Sequence, residues 1–373
     1  MLVASKREGK RSEELAEYYT EIFFDHCAKL NIIRPDIVCK ATEHIQEMID
    51  LVKRLEEQGF AYQSAGNVYF DVERFERYGD LAKLDMSQLQ AGARIDVDTN
   101  KRNAVDFALW FTKSKFENQE LQWDSPWGVG YPGWHIECSA MAMRYLGESF
   151  DIHCGGIDHI PVHHTNEIAQ SEAATGKRFA KFWLHGGFLV TGKDKMSKSA
   201  GEFLTLDKLI KEEIDPIAYR LFCLSASYRS ELAWSWEAIK NSMNSLRKIK
   251  ASVLELRDQK NEPSGSGSSS GSEKTLDLNM SKALAVFHET LSSKEISAAD
   301  KLAILEDYDE IFGLGIKNWQ TSAVPEEVSE LMAKRDAARL SKDWAEADNL
   351  RDQLQSMGYS VEDSADGTKV RKL

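Results

Sequence analysis

Apolar residues recur at three- and four-residue intervals through Glu14-Leu-Ala-Glu-Tyr-Tyr-Thr-Glu-Ile-Phe-Phe24 and Thr42-Glu-His-Ile-Gln-Glu-Met-Ile-Asp-Leu-Val52. That period predicts helices across residues 11–59. From Ala61 the period changes. Asn67-Val-Tyr-Phe-Asp-Val72 follows a Gly turn and reads as a short strand, and Ala93-Arg-Ile-Asp-Val-Asp98 alternates. Residues 60–108 are therefore expected to form a small α+β insertion. Between 109 and 205 strand-like and helical runs alternate: Phe150-Asp-Ile-His-Cys-Gly-Gly156 extended, Glu167-Ile-Ala-Gln-Ser-Glu-Ala-Ala174 helical, Gly187-Phe-Leu-Val190 extended. This rhythm predicts an α/β domain with a parallel sheet, whose ligands sit at the carboxyl ends of its strands. Helical patterning fills 206–322, interrupted by Pro263-Ser-Gly-Ser-Gly-Ser-Ser-Ser-Gly-Ser272, a flexible linker by composition. A final unit, 323–373, begins with a charged helix pair and ends in an alternating segment.

At 373 residues, with 42% hydrophobic and 29% charged content, the chain has enough material for two or three domains with real cores. No apolar run is long enough to cross a bilayer, and the first residues lack the apolar core of a signal peptide. Five scattered cysteines argue for reduced thiols in the cytoplasm rather than a disulfide framework. A net charge of -13 argues against general nucleic-acid binding. Charge must be read by region, however: Leu331–Leu373 balances eight Lys or Arg against eight Asp or Glu and ends on the basic Lys369-Val-Arg-Lys-Leu373. That permits an RNA contact there.

Two constellations carry candidate chemistry. His163 and Glu167 are four apart, so on a helix opened by Pro161 their side chains share a face. Cys138 is expected to meet them from the end of a neighbouring strand. Thiolate, imidazole and carboxylate form a mixed set that zinc accepts, with a fourth position left over. The spacing equally suits a buried free cysteine beside a surface His/Glu pair. The second constellation is Lys195-Met-Ser-Lys-Ser199, bracketed by Gly192 and Gly201. Two ammonium groups there, Lys195 and Lys198, can clamp a triphosphate and stabilise developing charge, where the alternative is a solvated basic turn. Gly155-Gly-Ile-Asp158 closes a strand, and Gly156 with Asp158 would suit a nucleotide's backbone approach and ribose hydroxyls. Trp134 and His153 flank the same region, while Trp123, Trp127, Trp183, Trp234 and Trp236 read as packing aromatics.

Longer segments resemble one family, the cysteinyl-tRNA synthetases of class I. They include Asp106-Phe-Ala-Leu-Trp110, Trp123-Asp-Ser-Pro-Trp-Gly128, Pro132-Gly-Trp-His-Ile-Glu-Cys-Ser-Ala-Met141, His163-His-Thr-Asn-Glu-Ile-Ala-Gln170, the lysine loop, and Ala337-Ala-Arg-Leu-Ser-Lys-Asp-Trp344. The resemblance covers essentially the whole chain. It implies a Rossmann-like catalytic domain with an α+β insertion, a helical bundle and a C-terminal anticodon-side unit. It also implies a reaction: L-cysteine is activated by ATP, with Mg2+, and passed to tRNA(Cys). Cys138, His163 and Glu167 would hold one Zn2+, Trp134 and His153 would wall the cysteine pocket, and Lys195 and Lys198 would serve ATP beside Gly156 and Asp158. Tyr131, Thr165 and Val370 depart from the family's usual Arg, Glu and Trp.

The family's opening strand, first metal-binding cysteine and His-Ile-Gly-His segment find no match in this sequence. Met1 is therefore expected to align with an internal stretch, leaving roughly two to three βαβ units unmatched. On that expectation the chain alone is inactive or nearly so, and a separately encoded front half is a candidate partner. Two rivals follow: a non-catalytic tRNA-binding remnant, and a ligase joining cysteine to an amino sugar. The second should lack the C-terminal unit.

Overall fold

The computed structural model describes residues 9–83, 99–113, 119–191, 194–195, 204–259, 278–320, 325–364 and 367–372. The chain divides into two compact units, one ending at Lys317 and one starting at Asn318.

Helix α1 (Ser12–Lys29) opens with the Arg11 N–H donating to the Glu14 carboxylate, and α2 (Ile45–Glu57) follows a 3-10 turn at Ala41–Glu43. The stripe that predicts α2 is the face it buries: Met48, Ile49, Leu51, Val52 and Leu55. Strands β1 (Ala61–Ser64) and β2 (Asn67–Phe70) form a hairpin around Ala65-Gly66. Both turn residues have positive φ, 49° and 94°, which suits a tight turn matching the strand twist. β3 (Phe107–Phe111) and β4 (Tyr131–Pro132) extend this antiparallel sheet in the order β1-β2-β3-β4.

The sheet therefore runs past the boundary expected near Ala108. The reason is packing. Leu109 and Trp110 join Val68, Phe70 and Phe107 in one core with α2, so this stretch is held by the antiparallel sheet rather than by a parallel neighbour. The alternating segment Ala93–Asp98 lies outside the described residues.

Next come α3 (Trp134–Leu146), β5 (Phe150–Gly156), a π-helical turn (Ile160–His164) that runs directly into α4 (Thr165–Thr175), and β6 (Ala180–Gly186). β5 and β6 pair in parallel, with α4 as their crossover. Gly176, at φ 68°, ends α4 in the left-handed conformation that an L side chain resists. β7 (Leu189–Thr191) pairs antiparallel with β8 (Asp194–Lys195) and parallel with β9 (Leu232–Trp234). The parallel rhythm read from the sequence is thus present in two pairings, β5 with β6 and β7 with β9. The strand at β9 sits inside a stretch whose pattern reads as helical.

The helical region comprises α5 (Leu206–Lys211), α6 (Pro216–Leu224), α7 (Trp236–Gln259), α8 (Met280–Ser292) and α9 (Ala298–Phe312). Asp215 caps α6 by accepting from the Ile217 N–H, with Pro216 at the first helical position. The Ser/Gly segment 263–272 lies outside the described residues. The second unit packs α10 (Glu326–Leu340) against α11 (Trp344–Ser356) beside the hairpin of β10 (Tyr359–Ser364) and β11 (Gly367–Lys372). Among the described residues, no helix is long and apolar enough to cross a membrane.

The main core explains where chemistry can be placed. Ile136 and Ala140 of α3 and Ala169, Ala173 and Ala174 of α4 share it with α2 and the antiparallel sheet. One face of each helix is fixed there.

Candidate functional site: a buried cysteine, histidine and glutamate

α3 starts where the chain comes closest to β3. The Gly133 N–H donates to the Leu109 carbonyl at 2.9 Å, and a Cβ on Gly133 would run into the Ala108 carbonyl. Only glycine lets the helix begin there. Cys138 therefore projects from the second turn of α3 rather than from the end of a strand, because the strand before it, β4, is only two residues long. His163 belongs to the π-helical turn and Glu167 to α4. Such turns commonly occur at functional sites.

The three side chains converge. One donor atom from each of Cys138, His163 and Glu167 lies within 4.8 Å of the others. Glu167 is fully buried, at 0% exposure. Its Oε1 lies 2.6 Å from His163 Nε2 and its Oε2 lies 3.0 Å from His153 Nε2. Neither contact meets strict hydrogen-bond geometry, yet both imidazoles lie close enough to hold the carboxylate ionised. A buried carboxylate needs a cationic or donor partner, and a metal ion shared with Cys138 and His163 could serve it as well as the imidazoles do. The donor set, one soft sulfur with nitrogen and oxygen, fits a borderline-soft divalent ion such as zinc.

Electrostatics agree with the geometry. Burial opposes ionisation of Glu167, yet the imidazoles of His153 and His163 outweigh it and hold the carboxyl at about 2. Burial, followed by the charges of Glu167, Glu137 and Cys39, pushes the Cys138 thiol up to about 12. The pocket thus holds an anion ready and a proton on sulfur that only a stronger Lewis acid would displace.

Histidines surround the trio. His135 Nδ1 lies 3.1 Å from His163 Nδ1, and burial brings His135 down to about 4, so that ring stays neutral near pH 7. With Nδ1 engaged in this contact, His163 Nε2 faces Glu167. His164 Nδ1 lies 2.8 Å from His185 Nε2, and burial lowers His164 to about 3. Gly155 is required beneath them, since a Cβ there would strike the His164 ring. His153, His164 and Glu167 also place donor atoms within 4.8 Å of one another, giving the carboxylate a second imidazole side.

The other expected residues are placed as follows. Trp134, the first residue of α3, is 62% exposed and its ring centroid sits 4.5 Å from that of His163. His153 is half-buried on β5 against Trp183, at 4.7 Å between centroids. Gly156 ends β5, and the Asp158 carboxylate folds into the space its side chain would fill. Asp158 itself is exposed in the next turn. Lys195 lies in β8 with its backbone paired to Val190, and Lys198 lies outside the described residues.

Reading from sequence missed His135, His159, His164 and His185 as a group, although six of the nine histidines fall between 135 and 185. It also took Trp183 as a packing residue only. That ring in fact lies 4.9 Å from His164 and stacks on His185.

Comparison with known proteins decides the family. A profile described as "tRNA synthetases class I (C) catalytic domain" matches residues 1–244, and one described as "Cysteinyl-tRNA ligase anticodon binding domain" matches 321–371. The chain belongs to the cysteine–tRNA ligase family. It is 45% identical to cysteine–tRNA ligase of Treponema denticola, over 100% of this chain and 83% of that protein. It is 42% identical to cysteine–tRNA ligase 1 of Burkholderia lata, over 98% of this chain and 78% of the relative. Among solved structures, Mycobacterium tuberculosis methionyl-tRNA synthetase in complex with methionyl-adenylate superposes with a TM-score of 0.53 at 16% identity, over 90% of this chain and 74% of that one. That likeness concerns the fold alone: a class I catalytic architecture, followed here by the anticodon-binding unit.

Proposed function

We propose that this cysteine–tRNA ligase selects L-cysteine through a Zn2+ ion held by Cys138, His163 and Glu167, activates it with ATP as the magnesium complex, and transfers it to tRNA(Cys) in cytoplasmic translation. The observation that carries the reading is the convergence of the fully buried Glu167 carboxylate with a thiol and an imidazole, their donor atoms within 4.8 Å of one another. Bound there, zinc would supply a soft Lewis-acid contact for the substrate's sulfur that a serine hydroxyl matches poorly.

The protein's own residues supply the rest. Glu167, held ionised by its imidazole neighbours, contributes the fixed negative charge. His135, in contact with His163 Nδ1, would orient the ring so that Nε2 faces Glu167. The exposed indole of Trp134 and the half-buried ring of His153 flank the trio and would exclude water around a small side chain. The cysteine carboxylate attacks the α-phosphorus of ATP and pyrophosphate leaves. A ribose hydroxyl of the tRNA end then attacks the carbonyl carbon and AMP leaves. Lys195 and Lys198 would neutralise charge building on the phosphates in the first step, with Gly156 and Asp158 beside the adenosine.

The test uses the cobalt-substituted protein. L-cysteine should perturb its visible spectrum and L-serine should not, and Cys138→Ala should remove the thiolate signature. Identical spectra with and without cysteine would sink the selection mechanism. In parallel, cysteine-dependent ATP–pyrophosphate exchange should fall in Lys198→Ala with little change in cysteine binding.

A further inference from the structure

The three ligand-bearing side chains come from two helices, and something must hold those helices in register. On α3, His135, Cys138 and Ser139 share a face at three- and four-residue spacing; on α4 and its leading turn, His163, Glu167 and Gln170 do the same. Ile136 and Ala140 of α3 and Ala169, Ala173 and Ala174 of α4 bury the adjoining faces in the main core, and apolar contacts of that kind leave the register undirected. One side chain does not. Gln170, fully buried, donates through Nε2 to the His135 carbonyl at 2.5 Å and to Ser139 Oγ at 2.6 Å. Ser171 Oγ donates to the same Ser139 Oγ at 2.9 Å.

We infer that Gln170, with Ser139 and Ser171, is the positioning element of the metal centre, fixing the register of α3 against α4 that brings Cys138 to His163 and Glu167. This inference rests on the metal reading above.

The lock sits beside the ligands on both helices. Ser139 follows Cys138 directly, and Gln170 lies one turn beyond Glu167. A zinc–sulfur bond is about 2.3 Å and zinc–nitrogen about 2.0–2.1 Å, so a slip of about 1.5 Å, one residue of helix rise, breaks the set. Stability alone would not select this residue. Gln170 Oε1 is buried and has no protein partner, a deficit that an apolar residue of the same volume would avoid. Directional bonds define one register, which dispersion contacts do not.

The experiment compares zinc affinity, by competition with a chromophoric chelator, in the wild-type chain and in Gln170→Met, Ser139→Ala and Cys138→Ala. Gln170→Met keeps the volume and removes both donors. It should weaken zinc binding about 10–100-fold, the range seen when groups supporting a metal ligand are removed. Ser139→Ala, which keeps the amide–carbonyl bond, should weaken it by a smaller factor. In cobalt-loaded protein both should diminish the thiolate charge-transfer band, a signature that general loosening of the core would not reproduce in proportion. Zinc affinity within twofold of wild type in Gln170→Met overturns the inference. If that variant does not fold, wild-type affinity in Ser139→Ala overturns it instead. Failure of the metal reading looks different: wild type and Cys138→Ala would then bind zinc alike.

Discussion

Cys138 offers a sharp test because its proton and its metal compete for one atom. In the folded chain the thiol stands at about 12 against an ordinary 9.0. That rise disfavours the thiolate by about 4 kcal/mol. At pH 7.5 the thiolate fraction is on the order of 10⁻⁴ to 10⁻⁵, so the sulfur is fully protonated before metal arrives. Glu167, held at about 2, is already ionised and releases nothing. Metal binding through Cys138 should therefore expel about one proton from that residue, and above pH 7 the apparent zinc affinity should rise tenfold per pH unit. Isothermal titration with zinc in two buffers of different ionisation enthalpy counts the protons. Cys138→Ala should release one proton fewer and show an affinity nearly flat with pH. Equal release in the two proteins would refute the assignment of the thiol as ligand, and with it the argument that burial keeps the sulfur protonated until a cation displaces the proton.

Two further outcomes follow from the same packing. His135 and His164 have folded values lowered by burial to about 4 and about 3, so the unfolded chain takes up protons first as pH falls. The stability they contribute is complete above the ordinary histidine value of 6.5 and is lost as pH falls toward those folded values. Chelator-treated protein should lose up to roughly 1.4 kcal/mol per pH unit for each ring in denaturant titrations between pH 6 and 4.5; a flat profile there would contradict neutral burial. Gly133→Ala would press a methyl onto the Ala108 carbonyl. It should cost about 1–3 kcal/mol in unfolding experiments, and an unchanged melting temperature would show that α3 can start elsewhere.

The sequence alone determined what depends on local period and on residue identity. The stripe Met48–Leu55 specifies α2 because helical spacing puts those side chains on one face, and Phe150–Gly156 specifies a strand meeting a turn. The four-residue step from His163 to Glu167 named two candidate ligands, and the long motifs around Cys138, Trp134 and the lysine loop carried the family. Tertiary structure decided the rest. Cys138 sits on a helix whose start is set by Gly133 against β3, a contact between residues far apart in the chain. β3 and β4 joined the antiparallel sheet because Trp110 and Leu109 found their burial with α2. Trp183 and four further histidines reached the site only once β5, β6 and the π-helical turn were assembled. Period reports which face a residue takes, whereas pKa, hydrogen-bond alignment and metal geometry depend on what lies opposite, and that is fixed by long-range packing.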